Sequence, residues 1–149
     1  MKYVVVSGGF APIHIGHIKY FKEAKKLGDY LIVILNSDRF LKRKHGYVFM
    51  DARQRKAILR ELRSVDEVVM ALDKDQSVCK TIRYLKNKGR IDLFAKGGDR
   101  TRHNIPELEL CDELGISVKF GVGGGKIESS SWLIDKAVKK WKELKTRRI

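Results

Sequence analysis

The chain has 149 residues, 43% of them apolar and 34% charged, which excludes a disordered or fibrous protein and suits one domain. Its formal net charge of +14 attracts polyanions, so nucleic acid, phosphorylated metabolites and anionic surfaces are the partner classes to weigh. No apolar run approaches the roughly 18 residues of a membrane span, no signal-peptide pattern opens the chain, and Cys79 and Cys111 lack metal-type spacing, which together point to a cytoplasmic protein with reduced thiols.

In chain order, KYVVVS at 2–7 is a nearly continuous apolar run, as expected of a strand buried on both faces of a parallel sheet. The loop SGGFAPIHIGH follows. It leads into a helix with Ile18, Phe21, Ala24 and Leu27 on one face and Gly28 as its stop. YLIVILN at 30–36 predicts the second strand, and FLKRKHG a basic loop after it. Asp51 is the expected N-cap of a helix through DARQRKAILRELRSV, and DEVVMAL at 66–72 is the third strand. DQSVCKTIRYLKNKG predicts a helix closed by Gly89, and IDLFAK at 91–96 the fourth strand. IPELELCDELG has Pro106 near its start and Gly115 at its end, the asymmetry of a helix, and ISVKFG at 116–121 is the fifth strand. The glycine-rich loop GVGGGK leads to a last helix from about residue 131 to 146, with Ile134, Ala137, Val138 and Trp141 on one face. Trp132 and Trp141 are expected in the core or at a subunit interface. The alternation implies an α/β fold: a Rossmann-like, doubly wound, five-stranded parallel sheet in a single domain over 1–149. Such sheets bind ligands at the carboxyl ends of the strands, where strand order reverses.

The loop after strand 1 sits at that position. Gly8 and Gly9 let the backbone approach a ligand, and Gly16 lies where helical N–H groups and the helix dipole favour anions. His14 and His17 project side by side, and imidazole donates hydrogen bonds to phosphate oxygens. Neither the dinucleotide fingerprint nor the P-loop motif is present. On local residues alone the stretch reads as a phosphate cradle, a tight turn or a metal site.

HIGH after an apolar strand resembles the H-x-G-H signature of the nucleotidyltransferase superfamily, which includes the cytidylyltransferases and the class I aminoacyl-tRNA synthetases. GGFAPIHIGHIKYFKEAKKLGD is similar to the cytidylyltransferase form G-x-F-D-x-x-H-x-G-H. QRKAILRELRSVDEVV at 54–69 resembles the segment where an Arg opens a helix and V-D-E-V enters the third strand. FAKGGDR at 94–100 resembles the K-G-G-D segment of heptose-phosphate adenylyltransferase domains and its equivalent in glycerol-phosphate cytidylyltransferases. ESSSWLI at 128–134 resembles the S-T-T or S-S segment that opens the last helix. The resemblance runs from residue 3 to about residue 137. Ala11 departs from it, standing where an Asp is usual. The Arg just before the S-T-T segment is also missing, with Lys126 close by.

The resemblance implies condensation of a nucleoside triphosphate, CTP or ATP, with a phosphorylated sugar or alcohol. The acceptor attacks the α-phosphate in line and pyrophosphate leaves. A mononucleotide or coenzyme precursor is the alternative acceptor. The resemblance makes His14, His17, Lys44 and Arg55 the catalytic candidates. It makes Gly8, Gly9, Phe10, Gly16, Lys42, Gly97, Gly98, Asp99, Ser129, Ser130 and Ser131 the nucleotide-binding ones. Which of Lys42, Arg43 and Lys44 faces the site is open, as is whether Arg55 meets the acceptor phosphate or pairs with an acidic neighbour. Mg²⁺ is implied, held mainly through the triphosphate, with no protein metal site. A homodimer is implied as well. A nucleic-acid-binding module would fit the charge, but no aromatic-rich strand face or recognition-helix signature supports it. A nucleotide sensor without chemistry would fit Ala11.

Overall fold

Val4, Val5 and Val6 are fully buried because β1 (Tyr3–Gly8) lies in the middle of a sheet covered on both faces. The computed structural model describes residues 1–98 and 105–148. Its sheet has five strands in the order β3-β2-β1-β4-β5. They are β2 (Tyr30–Leu35), β3 (Glu67–Met70), β4 (Leu93–Gly97) and β5 (Ser117–Val122) beside β1, and every pairing is parallel. Alternate side chains divide the core. Val4, Val6 and Leu31 join Phe21 of α1 (Ile15–Lys25) and Leu59 of α3 (Ala52–Arg60) on one face. Val5, Ile32 and Phe94 join Ile82 of α4 (Cys79–Asn87) and Cys111 of α5 (Leu108–Leu114) on the other. Burying each such Val, Leu, Ile or Phe side chain stabilises the fold by about 1.5–3 kcal/mol. Strand order reverses at β1, so the crevice between the ends of β1 and β4 is the place for a ligand.

Gly89 and Gly115 stop α4 and α5 as expected, with φ of 67° and 68°. Four other expectations need correction. FLKRKHG is not a loop: it lies within α2 (Asp38–His45), capped by the Ser37 hydroxyl on Phe40 N–H and closed by Gly46 at φ 85°. Only Leu41 of that helix is buried, so its apolar signal is faint. Gly28 does not stop α1, which ends at Lys25. A Cβ at Gly28 would lie 2.8 Å from Lys2 O, so the glycine serves close packing against β1. The helix opened by Asp51 ends at Arg60 and gives way to turns that lead into β3. Finally, α6 (Ser130–Arg147) buries no residue, and of the two places expected for Trp132 and Trp141 the core is the one to drop, since they are 54% and 50% exposed.

Candidate active site

Between β1 and α1 the chain turns on Phe10, a non-glycine residue at φ 53°. Such backbone costs about 1–3 kcal/mol and persists only where packing over-determines it. Here the Phe10 ring is buried edge-on against His17 and Phe21, each with centroids at 5.0 Å. A Cβ at Gly8 would lie 2.7 Å from that ring, so Gly8 makes room for it. The Ala11–Pro12 peptide that follows is cis.

His14 and His17 form a reciprocal cap on α1. His14 Nδ1 accepts the Gly16 N–H at 3.0 Å, and His17 Nδ1 accepts the His14 N–H at 3.2 Å. An Nδ1 that accepts cannot carry the proton, so each neutral ring bears it on Nε2. The rings stack at 3.7 Å. Burial, reinforced by His14, lowers the His17 pKa from 6.5 to about 3. Burial also lowers His14, with Glu128 opposing and Lys126 adding to the effect. At neutral pH both rings are therefore uncharged donors. Capping uses the Nδ1 atoms alone and leaves each Nε2–H available to a ligand. Gly16 is required for this geometry: a Cβ there would sit 2.9 Å from His14 Cε1.

Both rings line a cleft of about 370 Å³ at the carboxyl edge of β1 and β4. Gly8, Gly9 and Phe10 line it beside them. Gly97 and Gly98 form the β4 side, after a register shift between Ala95 and Gly97 in the pairing with β5. A Cβ at Gly97 would lie 2.8 Å from Val122 O, and Gly98 has φ 60°. From α2, Lys44 reaches the cleft with Phe40, one turn earlier and 6.0 Å beneath its ammonium. Ser129 and Ser130 line the α6 side. The Ser129 hydroxyl caps Trp132 N–H at 3.4 Å, and the Ser130 hydroxyl donates to Pro12 O at 2.8 Å.

Three candidates lie elsewhere. Arg55 is not a cleft residue. Its side chain is fully buried, with Nε donating to Met50 O at 2.8 Å, one terminal nitrogen to Gly9 O at 3.0 Å and Asn36 O at 2.7 Å, and the other to Asp38 at 2.7 Å. The pairing alternative is the one observed, and it clamps the ends of β1 and β2 to α2. Lys42 is exposed on α2 and does not line the cleft; neither does Arg43, which donates to Lys74 O at 3.2 Å. Ser131 lines a second hollow of about 240 Å³ with Ala11, Tyr47 and Phe49. Ala11 is thus also outside the cleft. Asp99 and Arg100 lie outside the described residues.

Sequence reasoning missed Asn36, Lys96 and Glu107 in the cleft wall. Lys96 donates to the Ser7 hydroxyl at 3.4 Å; it opens the K-G-G-D segment and was within reach of that resemblance. Glu107 is 5% exposed and accepts Val78 N–H at 3.0 Å, capping α4 from 29 residues away, which no local pattern announces. Two Nε2–H donors, the Lys44 and Lys96 ammoniums and the first turn of α6 meet in one crevice. That is an arrangement for a polyphosphate.

Residues 5–147 match the family model described as Cytidylyltransferase-like. The chain is 42% identical over 128 residues to a glycerol-3-phosphate cytidylyltransferase of Staphylococcus aureus, covering 86% of this chain and 93% of that protein. It is 34% identical over 132 residues to an FAD synthase of Picrophilus torridus, covering 86% and 90%. Bifunctional proteins named HldE also match, and the chain spans 23% of the length of one from Syntrophotalea carbinolica. A crystal structure described as a lipopolysaccharide core biosynthesis protein from Thermoplasma volcanium superposes with a TM-score of 0.64 at 34% identity, over 81% of this chain and 94% of that one. Sheet order, the HIGH cleft and these matches agree: the chain belongs to the cytidylyltransferase-like family of nucleotidyltransferases.

Proposed function

We propose that the cleft joins a nucleoside triphosphate, CTP or ATP, to a small phosphorylated sugar or alcohol. The observation that carries this reading is the histidine pair. Its rings are held by their Nδ1 atoms and present Nε2–H donors to a crevice that also holds Lys44 and Lys96. An oxygen of the acceptor phosphate attacks the α-phosphorus, the bond to the bridging oxygen breaks, and pyrophosphate leaves with that electron pair. Charge grows on the non-bridging and leaving oxygens, where preorganised donors in a desolvated cleft are most effective. His14 and His17 donate to those oxygens without exchanging a proton with bulk water. Lys44 and the turn at Ser129–Ser130 take the remaining phosphate charge.

Mg²⁺ accompanies the triphosphate and neutralises part of its charge. Among the described residues no group of three His, Cys, Asp or Glu side chains gathers that could hold a metal. The relatives named FAD synthase favour a second reading, with ATP and a flavin mononucleotide as the pair. No described helix is long and apolar enough to cross a membrane. We infer a cytoplasmic protein from its water-borne substrates. We infer a homodimer from the family and from the exposed Val138 and Trp141 of α6; sedimentation should then give twice 17.1 kDa. Pyrophosphate release, with four triphosphates crossed against phosphorylated sugars, polyols, amino alcohols and mononucleotides, tests the reaction. One productive pair supports the proposal and names base and acceptor together. Triphosphate binding with no release from any pair contradicts it.

A further inference from the structure

The end of β5 and the loop from it to α6 turn on Gly121, Gly123 and Gly124, with φ of 68°, 88° and 79°. A Cβ at Gly123 would lie 2.9 Å from Tyr20 Cα, so the loop is pressed against α1. This backbone delivers Lys126 to the cleft wall. The Lys126 ammonium stands 4.7 Å from the centroid of the Trp132 ring, which is 54% exposed on the first turn of α6. The same charge reaches His14, where it disfavours protonation, while Glu128 favours it. Glu128 is engaged at the helix start, accepting Ser129 N–H at 2.9 Å. Lys126 makes no ion pair among the described residues. It is a cation beside an anion site, stored on an aromatic face.

We propose that Lys126 is the cation this chain brings to the leaving pyrophosphate, and that Trp132 holds it at the cleft wall until the triphosphate arrives. The assignment rests on the nucleotidyl-transfer reading of the cleft. A cation–π contact on an exposed ring is weak beside a charge-assisted bond to phosphate, so a bound polyphosphate draws the ammonium off the ring. As the bond between the α-phosphorus and the bridging oxygen breaks, the charge that grows on the departing pyrophosphate is what a nearby ammonium stabilises.

The test needs no acceptor. In a Trp141→Phe background Trp132 is the one remaining tryptophan. Magnesium pyrophosphate is titrated while Trp132 emission and binding heat are followed. Emission should change to saturation. Lys126→Met in the same background should bind pyrophosphate at least ~10-fold more weakly, with no emission response. Lys126→Arg should restore both the affinity and an emission response. With a productive substrate pair, Lys126→Met should lower kcat/KM by about 100-fold. Equal pyrophosphate affinity in the parent and Lys126→Met, or a parent whose Trp132 emission ignores saturating pyrophosphate, overturns the proposal. A parent that takes up no pyrophosphate overturns both this assignment and the transfer reading. If the parent binds as expected but no pair releases pyrophosphate from a triphosphate, the transfer reading fails while the Lys126 contact stands.

Discussion

Burial holds His17 in its neutral form, with a pKa of about 3 against an ordinary 6.5. The folded chain binds that proton more weakly than the unfolded chain, so acid favours unfolding. Stability from this residue is full above about pH 6.5 and is lost as pH falls toward 3, by up to ~1.4 kcal/mol per pH unit. Asn at position 17 keeps an acceptor for the His14 N–H but does not titrate. Thermal melts between about pH 6.5 and pH 4 should therefore fall more steeply for the parent than for His17→Asn. Equal slopes would place the His17 pKa near its ordinary value. Gly16 holds the same ring pair in place from the backbone. In Gly16→Ala the new methyl displaces the His14 ring, which should cost about 1 kcal/mol of stability through the cap. The same displacement should cost about 100-fold in kcat/KM. Urea unfolding and steady-state kinetics separate the two effects.

Among the elements, α2 and α3 show what the sequence could and could not disclose. The valine run of β1 and the glycine stops of α4 and α5 were legible because burial on two faces and left-handed caps leave local marks. The HIGH turn was legible as the entry to α1 beside the carboxyl edge of the sheet, because glycines and a helix start leave local marks too. Helix α2 was not, because it buries Leu41 alone and its Ser37 cap stands among polar residues. The fate of Arg55 was not legible either, since its partners Gly9, Asn36 and Asp38 come together only in the folded chain. Arg55→Met leaves those groups without their donor and should destabilise the protein by about 3–5 kcal/mol in urea unfolding, as a structural clamp would. A variant of parental stability would contradict that role. On α2 the split is sharper. Lys44→Ala should raise the KM for triphosphate by about 10-fold, and Lys42→Ala should change it by less than about 2-fold.

Across the whole molecule, the +14 charge is a field around the cleft proposed to bind the triphosphate. It should speed capture of a polyanionic substrate and fade as salt screens it, so kcat/KM should fall with ionic strength while kcat changes little. A nucleic-acid-binding module would instead show salt-sensitive affinity for any long polyanion and indifference to the histidines. If this cleft transfers a nucleotidyl group through the neutral donors His14 and His17, pyrophosphate release on the best substrate pair should separate the parent from His17→Ala, with cooperative melting checked for both. The predicted result is stoichiometric release by the parent and a loss of about 1,000-fold or more in a variant that still folds. Equal turnover by a folded His17→Ala would contradict the account.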